Sequence, residues 1–141
     1  MATPGQTPID LNYFCGFFDG EGCIIVTTER IRLSVDHTFP PVLEAIRDSF
    51  GGEIYGPILK EGSKPNWRWQ IGGGIQVAQL LKLMLPHLRE KRRQAEIAID
   101  WVGSLPNGAK REALTRLARE AKKIDHYERH KHKAEDNYPS Y

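Results

Sequence analysis

Hydrophobic and polar positions along this chain follow two periods, and the switches between them mark its elements. From Leu11 to Phe18 the apolar residues Leu11, Phe14, Phe17 and Phe18 recur at helical spacing. Asp10 precedes them as a natural N-cap, because its carboxylate can accept from the free amides of a first turn. Gly20 and Gly22 disfavour continuation, so the helix ends within DGEG. The period then drops to two. CIIVTTERIRLSV is rich in β-branched residues, with Ile31, Leu33 and Val35 on one side and Arg30, Arg32 and Ser34 on the other. This predicts a half-buried hairpin with a tight turn near Thr28–Arg30. Pro40 and Pro41 introduce VLEAIRDSF, a short amphipathic helix with Pro in its first turn, stopped by Gly51 and Gly52. A second hairpin follows, EIYGPIL and NWRWQI across the loop KEGSKP. In it Trp67, Trp69 and Ile71 face one way and Asn66, Arg68 and Gln70 the other. Gly72–Gly74 lead into IQVAQLLKLML, a helix ended by Pro86. A further helix is expected over His87–Val102, basic at its start through Arg89, Lys91, Arg92 and Arg93. SLPNGAK is a break, and a very polar helix runs from Ala109 to about Glu135.

The order helix, two strands, helix, two strands, helices describes an α+β unit with an antiparallel sheet. A length of 141 residues suits one domain. Residues 1–9 read as a loose arm, 10–105 as the core and 106–141 as a basic helical extension of the same domain. A composition of 40% hydrophobic and 27% charged residues excludes wholesale disorder. The longest apolar-rich stretch, Ile75 to Leu88, is interrupted by Gln76, Gln79, Lys82 and Pro86, so it is no membrane span of ~18–20 residues. The N-terminus has no basic n-region and no apolar h-region, and Cys15 and Cys23 make no disulfide framework. An intracellular, reduced protein is expected: cytoplasmic or nucleoid-associated in a bacterial or phage host, organellar in a eukaryote. The net charge of +2, from Lys+Arg 20 against Asp+Glu 18, does not by itself announce nucleic-acid binding. The placement of the charges has to carry that argument.

The segment FCGFFDGEG, Phe14 to Gly22, carries the most chemistry. Gly16 and Gly20 sit four apart on one helical face, and glycines at that spacing let two helix backbones approach closely. The helix ends in two carboxylates, Asp19 and Glu21, which oppose the macrodipole at roughly 0.3–1 kcal/mol each. Pairing two such helices gathers four carboxylates. A divalent cation removes that conflict, since carboxylates and backbone carbonyls are hard oxygen ligands suited to Mg²⁺. Such a metal can activate water and stabilise the leaving oxygen of a phosphodiester. The alternative is a structural helix followed by a glycine turn, with Asp19 and Glu21 solvated.

The same segment resembles the nine-residue LAGLIDADG motif of homing endonucleases. Gly16, Asp19 and Gly22 match, Glu21 replaces the second Asp conservatively, and Gly20 replaces a small Ala. RLSVDH followed by PPVLEAIRDSFGG looks like that family's second strand and next helix, and LLKLMLPHLREKRRQAEIAI like its later Leu-rich helix, Pro break and basic stretch. The resemblance covers roughly residues 10–105. It implies an αββαββα fold whose four-stranded antiparallel sheet binds DNA, with helices on the other face. It implies a site-specific, Mg²⁺- or Mn²⁺-dependent double-strand DNA endonuclease linked to intron or intein mobility, with no small-molecule substrate and no membrane. Single-motif chains of this family are homodimers through the motif helix, which places Gly16, Phe17, Asp19 and Gly20 at the interface. Glu21 takes the position of the metal-binding catalytic acid, with Gly20 beside it, and Asp19 shapes the helix end. Lys91, five residues after Pro86, matches the basic residue beside the cleaved phosphate. His37 stands where the family commonly has Gln or a similar polar residue. That departure leaves it either orienting a water as a catalytic group or packing at the strand end.

A basic, polar sheet face can lie along the major groove, where Arg suits guanine and Asn or Gln suits adenine. The expected DNA-facing set is Ile25, Thr27, Arg30, Arg32, Ser34, Asn66, Arg68 and Gln70, with Arg89 and Arg92 from the basic stretch. Trp67 and Trp69 fit the core better than a base-stacking role. A six-residue strand spans about 20 Å, or roughly six base pairs, so a dimer would read a short pseudo-palindrome. Lys122, Lys123, Arg129, Lys131 and Lys133 of the tail could add phosphate contacts or form a solvated helix face. His126 and His130 stand at i, i+4 beside His132, but no acid or Cys nearby completes a metal site. A non-catalytic nucleic-acid binder on the same fold, a transcriptional regulator or an RNA-splicing maturase, is the competing function. A protein-binding scaffold is the third.

Overall fold

A computed structural model describes residues 8–104 and 108–136, with side chains described as far as residue 125. The arm expected over residues 1–9 falls largely outside them, as do the side chains of His126, His130 and His132. Helix α1 spans Leu11–Glu21, and Asp10 caps it by accepting the Tyr13 amide at 2.8 Å. Strands β1 (Gly22–Val26) and β2 (Ile31–His37) form the first hairpin. Its turn is closed by the Thr27 hydroxyl, which accepts the amides of Arg30 at 2.9 Å and Glu29 at 3.3 Å. Helix α2 (Pro40–Phe50) ends at Gly51 and Gly52, whose φ values of 88° and 95° favour glycine. Strands β3 (Glu53–Ile58) and β4 (Asn66–Gly72) form the second hairpin, with an irregular register between Tyr55 and Ile58. Helix α3 (Gly74–Met84) runs into a 3₁₀ turn at Leu85–His87 containing Pro86. Helix α4 (Arg92–Gly103) and helix α5 (Gly108–Asp136) complete the described chain.

The sheet order is β1-β2-β4-β3, antiparallel throughout. Period-2 alternation sorts its side chains as the sequence predicts. Ile24, Val26, Ile31, Leu33, Val35, Trp69 and Ile71 are buried on the inner face. There they meet Phe14 and Phe18 of α1, Leu43 and Ile46 of α2, and Val77, Leu81 and Met84 of α3. Trp69 is central. Its indole packs edge-on against Phe14, with ring centroids 5.6 Å apart, and Nε1 donates to the Gly51 carbonyl at 2.8 Å. Trp67 shares the inner face and is half-buried.

One feature differs from expectation. Helix α4 begins at Arg92 rather than His87, for a reason set by Asp19 and described below. The C-terminal helix packs against the rest of the domain over its described part. Thr115, Arg111 and Lys122 donate to the carbonyls of Thr27, Thr28 and Ile24, so α5 docks along the first hairpin and covers its outer strand. No described helix is long and apolar enough to cross a membrane.

Candidate active site and nucleic-acid interface

The end of α1 meets the entrance of α4. Asp19 Oδ2 accepts the amides of Arg89 at 2.8 Å and Glu90 at 3.0 Å, and Oδ1 accepts the amide of Lys91 at 2.8 Å. These amides lie at the positive end of the α4 dipole, where an anion is stabilised. In return Lys91 Nζ donates to the main-chain carbonyl of Asp19 at 2.6 Å, placing a cation on the C-terminal carbonyls of α1. Lys91 is only 7% exposed. The two helix ends thus clamp each other, and the amides of residues 89–91 turn to Asp19 instead of extending α4 backwards. Burial, with the nearby Asp19 charge adding to it, pushes the Cys15 thiol up to about 11.

Glu21 stands two residues further on and is treated differently. It is exposed, and no hydrogen bond or ion pair among the described residues holds its carboxylate. The helix face beside it is open. A Cβ placed on Gly16 or Gly20 meets nothing within 4 Å, so nothing within the chain requires glycine at either position. Gly22 differs, because a Cβ there would collide with the Phe18 ring. Tyr13, 55% exposed, stacks on half-buried Phe17 on the flank of this face. Of the four residues expected at a dimer interface, Gly16, Phe17 and Gly20 lie on this side. Asp19 turns its carboxylate into its own chain.

His37 ends β2, on the side of the sheet that faces the helices. Its Nδ1 accepts the Phe39 amide at 3.0 Å, and its ring lies 5.3 Å from that of Phe17. Of its two expected roles, packing at the strand end is the one its contacts display.

The outer face of the sheet carries Cys23 and Ile25 on β1, Arg32, Ser34 and Asp36 on β2, Asn66, Arg68 and Gln70 on β4, and Glu53 and Tyr55 on β3. Arg68 sits opposite Asp36 and donates to it twice, from Nε at 2.7 Å and from Nη2 at 3.0 Å. Both groups are well exposed, so the pair adds little stability, but it fixes the plane of the guanidinium. Three of the expected DNA-facing residues differ in detail. The Thr27 hydroxyl is occupied in the turn. Ser34 is 7% exposed, which limits its reach. Arg92 is drawn to Glu96 at 3.4 Å. Arg30 lies in the turn just before β2, and Arg89 is exposed. Asp36 escaped sequence reasoning although it has the same alternation parity as Arg32 and Ser34. Arg111, on the C-terminal extension, gave no signal.

No family model matches the sequence, and no curated protein matches it. Solved structures do match the fold. The homing endonuclease I-CvuI, crystallised with a DNA target in the presence of Mg, is 22% identical with a TM-score of 0.59, over 82% of this chain and 78% of that one. The archaeal intron-encoded homing endonuclease I-Vdi141I, complexed with DNA, is 22% identical with a TM-score of 0.60, over 80% of this chain and 82% of that one. The homing endonuclease I-TnaI is 14% identical with a TM-score of 0.61, over 84% of this chain and 99% of that one. At such identities the likeness is one of fold, and the order of elements, the sheet and the motif helix agree with it: the chain has the LAGLIDADG homing-endonuclease fold.

Proposed function

We propose that the protein is a site-specific, divalent-metal-dependent DNA endonuclease that acts as a homodimer on a pseudo-palindromic site. The observation that carries this reading is Glu21, an exposed carboxylate at the C-terminal end of a helix with no partner among the described residues. A carboxylate there opposes the macrodipole, so a site of this kind calls for a cation. The Glu21 carboxylate and the Gly20 carbonyl are hard oxygen donors that would hold Mg²⁺ or Mn²⁺. When bound, such an ion supplies an acidified water and positive charge at the leaving oxygen. Among the described residues no three His, Cys, Asp or Glu side chains gather around one point. At this helix end Glu21 is the acid that no bond among the described residues holds. A second copy of α1, packed on the open Gly16–Gly20 face, would supply a second such acid, with one Glu21 for each DNA strand.

The remaining residues hold this arrangement. Lys91 and Asp19 lock the end of α1 to α4, which sets the direction of Glu21 and keeps a positive charge beneath the helix end. Asn66, Arg68 and Gln70, with Ile25, present donors, acceptors and apolar surface suited to base edges. Two of the fold neighbours were crystallised on DNA, which supports double-stranded DNA as the partner.

The test is cleavage of a randomised double-stranded DNA library with Mg²⁺ and with EDTA, read by sequencing the ends. Metal-dependent double-strand cuts at one pseudo-palindromic motif are expected. Salt-sensitive enrichment of a motif without cutting would instead make the protein a regulator or maturase.

A further inference from the structure

The far end of the first hairpin holds a second cluster that this reading leaves unused. A cleft of about 310 Å³ opens there, lined by Arg30, Arg32, Arg111, Trp101, Glu29 and the glycine run at the start of α3. Its chemistry is almost wholly donor. Three guanidiniums face one carboxylate. Gly73 caps α3 with no side-chain bond, the first turn of α3 carries no acidic residue, and the first helical bond runs from the Val77 amide to the Gly73 carbonyl. The amides of Gly74, Ile75 and Gln76 are therefore left without an intrahelical acceptor.

An independent observation points to a ligand. Trp101 is 2% exposed, yet its Nε1 has no hydrogen-bond partner among the described residues, and neither has Nε of Arg111. Buried donors without acceptors are rare in folded proteins. Arg111 is nonetheless held firmly. Its guanidinium lies 4.4 Å over the Trp101 ring, and Nη1 donates to the Thr28 carbonyl at 3.3 Å. A pre-positioned cation, orphaned N–H groups and a helix N-terminus suit a ligand made of acceptors with negative charge, which is a phosphate.

We propose that this cleft seats a backbone phosphate of the DNA duplex, so that Arg30, Arg32 and Arg111 fix register and do not read bases. The proposal rests on the DNA-binding function above. Strand β1, five residues long, separates Glu21 from this end of the hairpin. That is about 17 Å, or about five base-pair steps outward from the cut.

The experiment uses the full chain and the site recovered from the randomised library. Affinity is measured over a KCl series for the parent, Arg30→Gln and Arg111→Gln, on duplexes carrying single neutral methylphosphonates. Each lost phosphate contact should flatten the plot of log K against log[KCl] by about 0.9, or about 1.8 for a dimer. The selected consensus should stay unchanged. One methylphosphonate, about five steps outboard of the cut, should weaken the parent more than it weakens either variant. Arg30 is exposed in the turn, so its variant keeps the proposal falsifiable if Arg111→Gln, which loses the Trp101 stack, fails to fold. An unchanged slope, a changed consensus, or penalties that add at every methylphosphonate would overturn the seat. So would thermal protection by inorganic phosphate with an unchanged DNA slope, which would mark a small-anion site. Failure of the DNA function itself shows in the parent alone, as absence of any salt-dependent affinity.

Discussion

Asp19 and Glu21 stand two residues apart at the end of one helix, yet the two sides of α1 they mark are opposites. On the inner side Asp19 accepts three amides, and Lys91 closes on its carbonyl. On the outer side Glu21 has no partner among the described residues, and Gly16 and Gly20 face open space. The difference comes from what each carboxylate faces. Asp19 faces the start of α4, whose dipole and free amides stabilise negative charge, whereas Glu21 projects where only a helix C-terminus lies near. The inner acid is structural and holds two helix ends together. The outer side carries an acid and two glycines that make no such contact among the described residues.

Substitutions can break this contrast. The largest effect is expected for Glu21→Gln, which should lower cleavage by about 10³-fold while leaving DNA affinity near the parent value. Its thermal midpoint should hold or rise, because it removes a charge opposed to the dipole. If Glu21→Gln cuts like the parent, the acid is misassigned. The same kind of change two residues earlier should act on stability instead. Asp19→Ala leaves the amides of Arg89, Glu90 and Lys91 without their carboxylate acceptor, while the main-chain carbonyl that accepts Lys91 Nζ remains, at a cost of about 2–3 kcal/mol, or roughly 10 °C in midpoint. An Asp19→Ala protein that melts with the parent would sink the clamp.

A smaller effect on the fold is expected for Gly16→Leu. A Cβ at this position meets nothing within 4 Å, and the helix gains about 0.8 kcal/mol in propensity. Sedimentation should show a folded monomer that no longer cuts both strands. A dimer of parental affinity would place the interface elsewhere. The smallest effect concerns Cys15, on the inner side. Its folded-state thiol ionises near 11 against 9.0 for an unburied thiol, so the protein prefers it neutral. That contribution is complete below pH 9 and is lost as pH climbs towards 11. Urea midpoints across this range should fall less steeply for Cys15→Ala than for the parent. Parallel slopes would remove the effect.

Much of this was legible along the chain, for a common reason. The Asp10 cap, the Thr27–Arg30 turn, the Pro40 entry and the Gly51–Gly52 stop are interactions between residues within four positions of one another. The inward Trp69 and outward Arg68 follow from the pleat. The motif pointed to α1, Glu21 and Lys91 because its residues are contiguous or carry a known offset. The site's electrostatics were less legible. The pairing of Arg68 with Asp36 needed the β2–β4 register, and the late start of α4 needed Asp19 about seventy residues away.

The sequence by itself determined the element order, the two faces of the sheet and the presence of two acids at the end of α1, because these rest on local periodicity, caps and turn residues. Tertiary structure alone decided which acid is satisfied and which is free, that Lys91 is buried against a helix end, and that Arg111 reaches the first hairpin. Those outcomes depend on which dipoles, amides and charges meet across the core, and chain distance carries no information about such meetings.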